Sequence, residues 1–218
     1  MVTEAMLQLG ILILTLSLFF IMHNIRNQIT RPTNRTRTRN NNRQPDPNRH
    51  LAQASRHLAR ARSTSHRAHH AKTALMETDR ALSVWPRDPW AHILRAQALQ
   101  LMGHRAAAIK SLDAALSSPA AKSLSAAERA GALVRRAELK VGVNRRRRVD
   151  SGIEDLVEAV GLSGNDSEAL CLLGKCYEWK GMKSEAEDAF QKVLEIDPDS
   201  EEARTGLDRL RLLSDQKL

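Results

Sequence analysis

Three patterns of apolar and polar residues follow one another along the 218-residue chain. Residues 5–22, AMLQLGILILTLSLFFIM, carry no charge and are apolar on every side. At about 1.5 Å per residue a helix of this length reaches ~27 Å, close to the ~30 Å hydrocarbon core of a bilayer. The run therefore predicts a membrane-spanning helix within 1–22, and its lack of a polar face argues against an interfacial one. Residues 23–50 are rich in Arg, Asn and Pro and nearly free of apolar side chains, which predicts a disordered linker. From 51 to 218 apolar residues recur at helical spacing, as in ILRAQAL (93–99), LVRRAEL (133–139) and GIEDLVEAV (152–160). Asp88-Pro89 supplies an N-cap followed by proline at the first helical position. Ala203, Leu207, Leu210 and Leu213 give the segment 201–214 an apolar stripe.

Composition sharpens the picture. Aromatics are 3% of the chain, and Ala, Leu, Arg, Glu and Lys dominate, which favours an all-α fold. The net charge of +9 is unevenly distributed: −1 over residues 1–22, +10 over 23–70, +9 over 71–148 and −9 over 149–218. Because Arg26, Arg31, Arg35, Arg37 and Arg39 follow the apolar run and nothing basic precedes it, residues 23–218 are expected in the cytosol. The start MVTEA and the lack of a small-x-small site after the run favour an uncleaved anchor over a signal peptide. A lumenal location would instead expose the sequons Asn34-Arg35-Thr36 and Asn165-Asp166-Ser167 to glycosylation.

The stretch SEALCLLGKCYEWKGMKSEAEDAFQKVLEIDPDS, 167–200, places Leu170, Leu173, Gly174, Tyr177, Ala186, Phe190 and Pro198 at telling offsets. These match W-x2-L-G-x2-Y, A-x3-F and P except for Leu170 at the first position, so the stretch resembles the tetratricopeptide repeat family. Small residues stand where two antiparallel helices cross, while Tyr177 and Phe190 fill the space between them. Gly181 turns the chain, Ser184 with Glu187 predicts a capping box for the second helix, and Asp199 or Ser200 a cap for the next. A shift of 78 residues aligns Ala96 with Gly174, Leu99 with Tyr177, Gly103 with Gly181, Ala108 with Ala186 and Leu112 with Phe190. The resemblance implies an all-α tetratricopeptide-type solenoid over 51–218, with units at about 55–88, 89–122, 130–166 and 167–200 and a capping helix at 201–214. In the first unit Arg62 stands where a small residue is expected. About three extra residues of the third fall in VGVNRRRRVD.

Candidate chemistry is sparse. There is no phosphate-binding glycine loop, H-E-x-x-H or nucleophile elbow, and no enzyme activity, cofactor, metal or small-molecule substrate is expected. Cys171 and Cys176 point to different faces of one helix and are read as packing residues, and His66, His69 and His70 as surface. In the resembled family the first helix of each pair lines a concave groove that holds an extended peptide or helix. That register implies a partner-binding groove of Trp90, Ile93, Leu94, Gln97 and Leu101, then Val134, Arg135 and Glu138, then Glu168, Cys171, Leu172, Lys175 and Trp179. One subclass grips chaperone C-terminal carboxylates. Here Ala59, Ser63 and Leu94 occupy its basic or amide positions and only Arg135 would serve, so such a clamp is not expected.

The expectation is thus a membrane-anchored adaptor that binds a protein partner at the cytosolic face of an organelle membrane, either endoplasmic reticulum or an outer membrane. An RNA- or ribosome-binding role is the alternative. It would use the Arg-rich linker and the basic patch Arg145, Arg146, Arg147 and Arg148, read as a solvated loop.

Overall fold

The helix starts are set by short-range chemistry. Asp46 accepts a hydrogen bond from Asn48 N (3.1 Å) ahead of Pro47, and Asp88 accepts one from Ala91 N (2.8 Å) ahead of Pro89. Ser125 and Glu128 form a reciprocal capping box, and Asp166 accepts from Glu168 N and Ala169 N. Each of these caps opens the first helix of a pair. The computed structural model describes residues 46–117 and 119–215. They form nine α-helices and one 3₁₀ turn, with no strand among the described residues: α1 Pro47–Ser63, α2 Arg67–Val84, α3 Pro89–Leu101, α4 Arg105–Leu116, the 3₁₀ turn Ala120–Ser123, α5 Ala126–Val143, α6 Arg145–Ser163, α7 Ser167–Lys180, α8 Lys183–Ile196 and α9 Glu201–Asp215.

The helices pair as α1/α2, α3/α4, α5/α6 and α7/α8, closed by α9. Two pairs turn identically: Gly103 (φ 82°) and Gly181 (φ 80°) end the first helix, and the amides of His104 and Met182 reach back to Leu99 O (2.9 Å) and Tyr177 O (3.0 Å). The 78-residue shift therefore equates real turns.

The core is divided in a regular way. Leu51, Ala54 and Leu58 of α1 pack with Ala74 and Ala81 of α2 and with Ala91, Leu94 and Ala98 of α3. The same pattern recurs among α3, α4 and α5, among α5, α6 and α7, and among α7, α8 and α9. Each pair thus completes its core only with the first helix of the next. In the last cluster the fully buried Phe190 ring lies against two backbones. A Cβ on Gly174 would meet it at 2.8 Å and one on Gly206 at 2.7 Å.

Buried charge ties the units as well. Asp155, 4% exposed, accepts from Arg136 Nε (3.0 Å) and Nη2 (2.6 Å) and lies 2.7 Å from Lys140 Nζ. Arg136 also reaches Asp113 at 3.0 Å, so one guanidinium joins α4, α5 and α6. Arg95 does the same for α2, α3 and α4 through Asp79 (2.7 Å) and Ser111 (3.1 Å). Glu77 joins α1 to α2 through His50 at 2.6 Å.

Several sequence expectations are corrected. The first unit begins at Pro47, inside the stretch read as linker to residue 50, because Asp46-Pro47 repeats the start signal of Asp88-Pro89. Its close-packing positions are Ala54 and Ala61, which leaves Arg62 exposed. The third unit starts at Ala126 on the Ser125 cap, before the expected boundary at 130. Its extra residues lengthen α5 and α6 to 18 and 19 residues rather than forming a loop, with Asn144 alone between them. The predicted capping box of Ser184 and Glu187 does not form. The Gly181 turn starts α8 at Lys183 with Met182 at the cap, which places Ser184 inside the helix.

Gly174→Ala should destabilise the repeats by about 1–3 kcal/mol in urea unfolding, because its methyl has no room beside Phe190. Gly131→Ala, in mid-α5 with nothing within 4 Å of its Cβ, should stabilise them by about 0.5–1 kcal/mol.

Candidate partner-binding face

The register along the first helices follows from burial and polar contacts. Ala91, Ala96 and Ala98 of α3 correspond to Ala132, Ala137 and Leu139 of α5, all buried, and Arg95 corresponds to Arg136 in its two bonds. The correspondence is one residue later than the echo of ILRAQAL in LVRRAEL. Gln97 therefore stands level with Glu138 and, through the 78-residue shift, with Lys175. At the N-terminal end Arg62 Nη2 donates to Gln97 Oε1 (2.9 Å), and at the other end Lys175 pairs with Glu202 of α9. The result is a polar row, Arg62, Gln97, Glu138 and Lys175, along the face of the first helices. Arg62 was not among the face residues expected from the sequence, where it stood only as a departure from the small-residue pattern.

The residues named from the sequence divide around this row. Ile93 (4% exposed), Leu94 (3%), Val134 (7%) and Cys171 (5%) are core residues joining neighbouring units. They are unavailable to a partner, because α3, α5 and α7 turn these positions towards adjacent helices. Gln97, Leu101, Arg135, Leu172 and Lys175 are half-buried, while Trp90, Glu138, Glu168 and Trp179 are exposed. Trp179 has one ring face covered by the Arg145 guanidinium, 4.2 Å from the ring centroid. Neither Arg135 nor Glu138 has an ion pair among the described residues. Glu138 keeps an open surface, yet its surroundings withdraw enough water to push its carboxyl above the usual value. The Glu168 carboxylate adds to this and Arg135 opposes it.

The basic patch is also relocated. Arg145 to Arg148 form the first turn of α6, where the Asn144 side chain accepts from Arg147 N (3.2 Å). All four are exposed, and no carboxylate pairs with them among the described residues. Cations at a helix N-terminus oppose its dipole at about 0.3–1 kcal/mol each, so this turn carries an electrostatic load.

Leu170, Leu173, Gly174, Ala186 and Phe190 are buried and Tyr177 is half-buried, whereas Pro198 is exposed beyond the end of α8. Cys171 and Cys176 are free, lie in different clusters, and have thiols pushed up to about 11, chiefly by burial. His57 Nδ1 and His70 Nδ1 approach to 3.4 Å across α1 and α2, and His69 lies beside His70. Among the described residues no three His, Cys, Asp or Glu side chains cluster closely enough to hold a metal ion. No described helix is long and apolar enough to cross a membrane, and the run at 5–22 lies outside the described residues.

Residues 167–200 match the family model described as tetratricopeptide repeat. Among solved structures the chain is similar to MamA 41-end from Desulfovibrio magneticus RS-1, with TM-score 0.60, 18% identity, and coverage of 75% of this chain and 86% of that one. It is also similar to a thermophilic TPR protein in Thermus thermophilus (TM-score 0.54, 19% identity, 78% and 83% covered). A third likeness is the first TPR of Spaghetti (RPAP3), bound to the HSP90 peptide SRMEEVD (TM-score 0.50, 17% identity, 58% and 92% covered). No curated protein matches the chain in sequence. The described residues thus form a tetratricopeptide-type α-solenoid.

Leu94→Glu should unfold the N-terminal units, costing about 3 kcal/mol or more in denaturant titration. Gln97→Ala should stay within about 0.5 kcal/mol of wild type. Glu138→Gln should be more stable than wild type at neutral pH. A carboxyl raised in the folded state binds more protons there than in the unfolded chain, so its contribution falls as pH rises from the ordinary carboxylate value through the raised one. The difference between variant and wild type should vanish when both states are protonated, a result that paired melts across the acid range will show.

Proposed function

We propose that the chain is a non-enzymatic adaptor. Its first-helix face holds an extended segment or helix of a protein partner, and residues 5–22 anchor it in a membrane with the repeats in the cytosol. The observation that carries this reading is the row through Gln97, Glu138 and Lys175, flanked by Trp90, Leu101, Arg135 and Leu172. It brings the exposed Trp90 and Glu138, the half-buried Leu101 and Leu172, and Arg135, which has no ion pair among the described residues, together on one face. Such a mixed face suits an amphipathic ligand. The peptide held by the RPAP3 repeat supports a peptide-like occupant here. The uncharged run 5–22 and its Arg-rich flank support the anchor and its orientation at an organelle surface, either endoplasmic reticulum or an outer membrane. The RNA-binding alternative is weaker, because Arg145 covers one face of Trp179, the tryptophan beside the basic turn.

Photo-crosslinkers placed at Gln97 and at Arg135 in the full chain should trap the same partner, and Glu138→Lys should abolish both adducts. Adducts arising only from Met76 or Val157, which are exposed on second helices, would move the interface elsewhere. On sealed membranes the repeats should be digested by added protease and carry no glycan at Asn165. Protection with a glycan there would reverse the topology.

A further inference from the structure

Helix pairs that stack in sequence bring all their internal turns to one edge of the solenoid and all the connections between units to the other. Three contacts align the internal turns. Arg62, at the end of α1, donates to Gln97 near the end of α3. Arg105, at the start of α4, donates to Gly142 O at the end of α5 (3.1 Å). Arg145, at the start of α6, covers Trp179 at the end of α7. The turn between α1 and α2 contributes Arg60 and Arg67, the next contributes Arg105, and the third contributes Arg145 to Arg148. No carboxylate pairs with any of these among the described residues. The opposite edge is acidic where α7 and α9 begin, with Asp166, Glu168, Asp197, Asp199 and Glu201. That edge also carries the exposed Arg87 and Lys122, so what distinguishes the internal-turn edge is its row of unpaired guanidinium groups over the first three turns, the third of which retains four cations against the α6 dipole.

We propose that this basic edge rests on an anionic lipid surface, which orients the partner-binding face beside the membrane. The inference rests on the membrane setting proposed above. A row of guanidinium groups spread over three turns matches a sheet of headgroups. A single nucleic-acid strand gains from free aromatic stacking platforms, and the tryptophan at this edge, Trp179, has one ring face under Arg145. Only 23 residues separate the apolar run from Asp46 in the sequence. Fully extended they span at most about 80 Å, which keeps the repeats within reach of the bilayer.

The three tryptophans of the chain make the test direct. Trp179 is at the basic edge, whereas Trp85 and Trp90 flank the connection between α2 and α3 at the other. Full-length Trp85→Phe/Trp90→Phe chain is reconstituted into vesicles of brominated phosphatidylcholine with or without phosphatidylserine. Trp179 fluorescence should be quenched only when phosphatidylserine is present. The quenching should be relieved by salt and largely lost in the added triple variant Arg146→Gln/Arg147→Gln/Arg148→Gln, whose circular dichroism should be unchanged. The Trp179→Phe chain, reporting Trp85 and Trp90, should stay unquenched. Equal Trp179 emission with and without phosphatidylserine, or quenching of Trp85 and Trp90 instead, would overturn the proposal. So would tRNA binding that the triple variant loses while Trp179 remains unquenched. Alkaline carbonate extraction reads the anchor separately. If it strips the chain, the anchor fails alone, and the same quenching is measured on chain added to preformed vesicles.

Discussion

Close approach between helices is the constraint on which the rest of this solenoid depends. The buried positions at the crossings are held by small residues: Ala54 and Ala74 in the first unit, Ala96 and Ala108 in the second, Ala137 and Ala159 in the third, Gly174 and Ala186 in the fourth. With so few aromatics, the chain fills its interior by bringing backbones together rather than by inserting large side chains. Phe190 is the exception, and it occupies the place where two glycines leave room. Once the helices are this close, polar groups between them have little access to water. Asp155 accordingly meets Arg136 and Lys140 from the neighbouring helix, and Glu77 meets His50 of α1 and Arg80 of its own helix.

How legible this was depends on which residues do the packing. The fourth unit could be read position by position because Gly174, Tyr177, Ala186 and Phe190 are distinctive residue types with distinctive spatial roles. The first unit could not, because alanines do the same work and alanine is common everywhere in the chain. Its boundary signal was nevertheless present in Asp46-Pro47. The third unit was blurred by length: two long helices meeting at Asn144 absorb residues that spacing alone assigns to a loop, and they shift the register by one.

The candidate face was legible in outline and wrong in depth. Periodicity locates the side of a helix but does not distinguish the half of an apolar stripe that faces a partner from the half that faces the next repeat. Ile93 and Leu94 fall in the second half, whereas Gln97 and Lys175, one turn along, fall in the first. The sequence had no marker for Arg62, since its role follows from where α1 ends relative to α3.

Sharing each core among three helices has a mechanical consequence. Every interior cluster borrows its lid from the following unit, so no pair is complete by itself, and α9 exists to supply the last lid with Ala203 and Leu210. Such an array has no single keystone and loses order from its ends by unzipping. The amides of α5 and α6, with neighbours on both sides, would then be the slowest to exchange with solvent, and those of α9 among the fastest. The middle of the candidate face therefore lies on the part of the molecule that opens last.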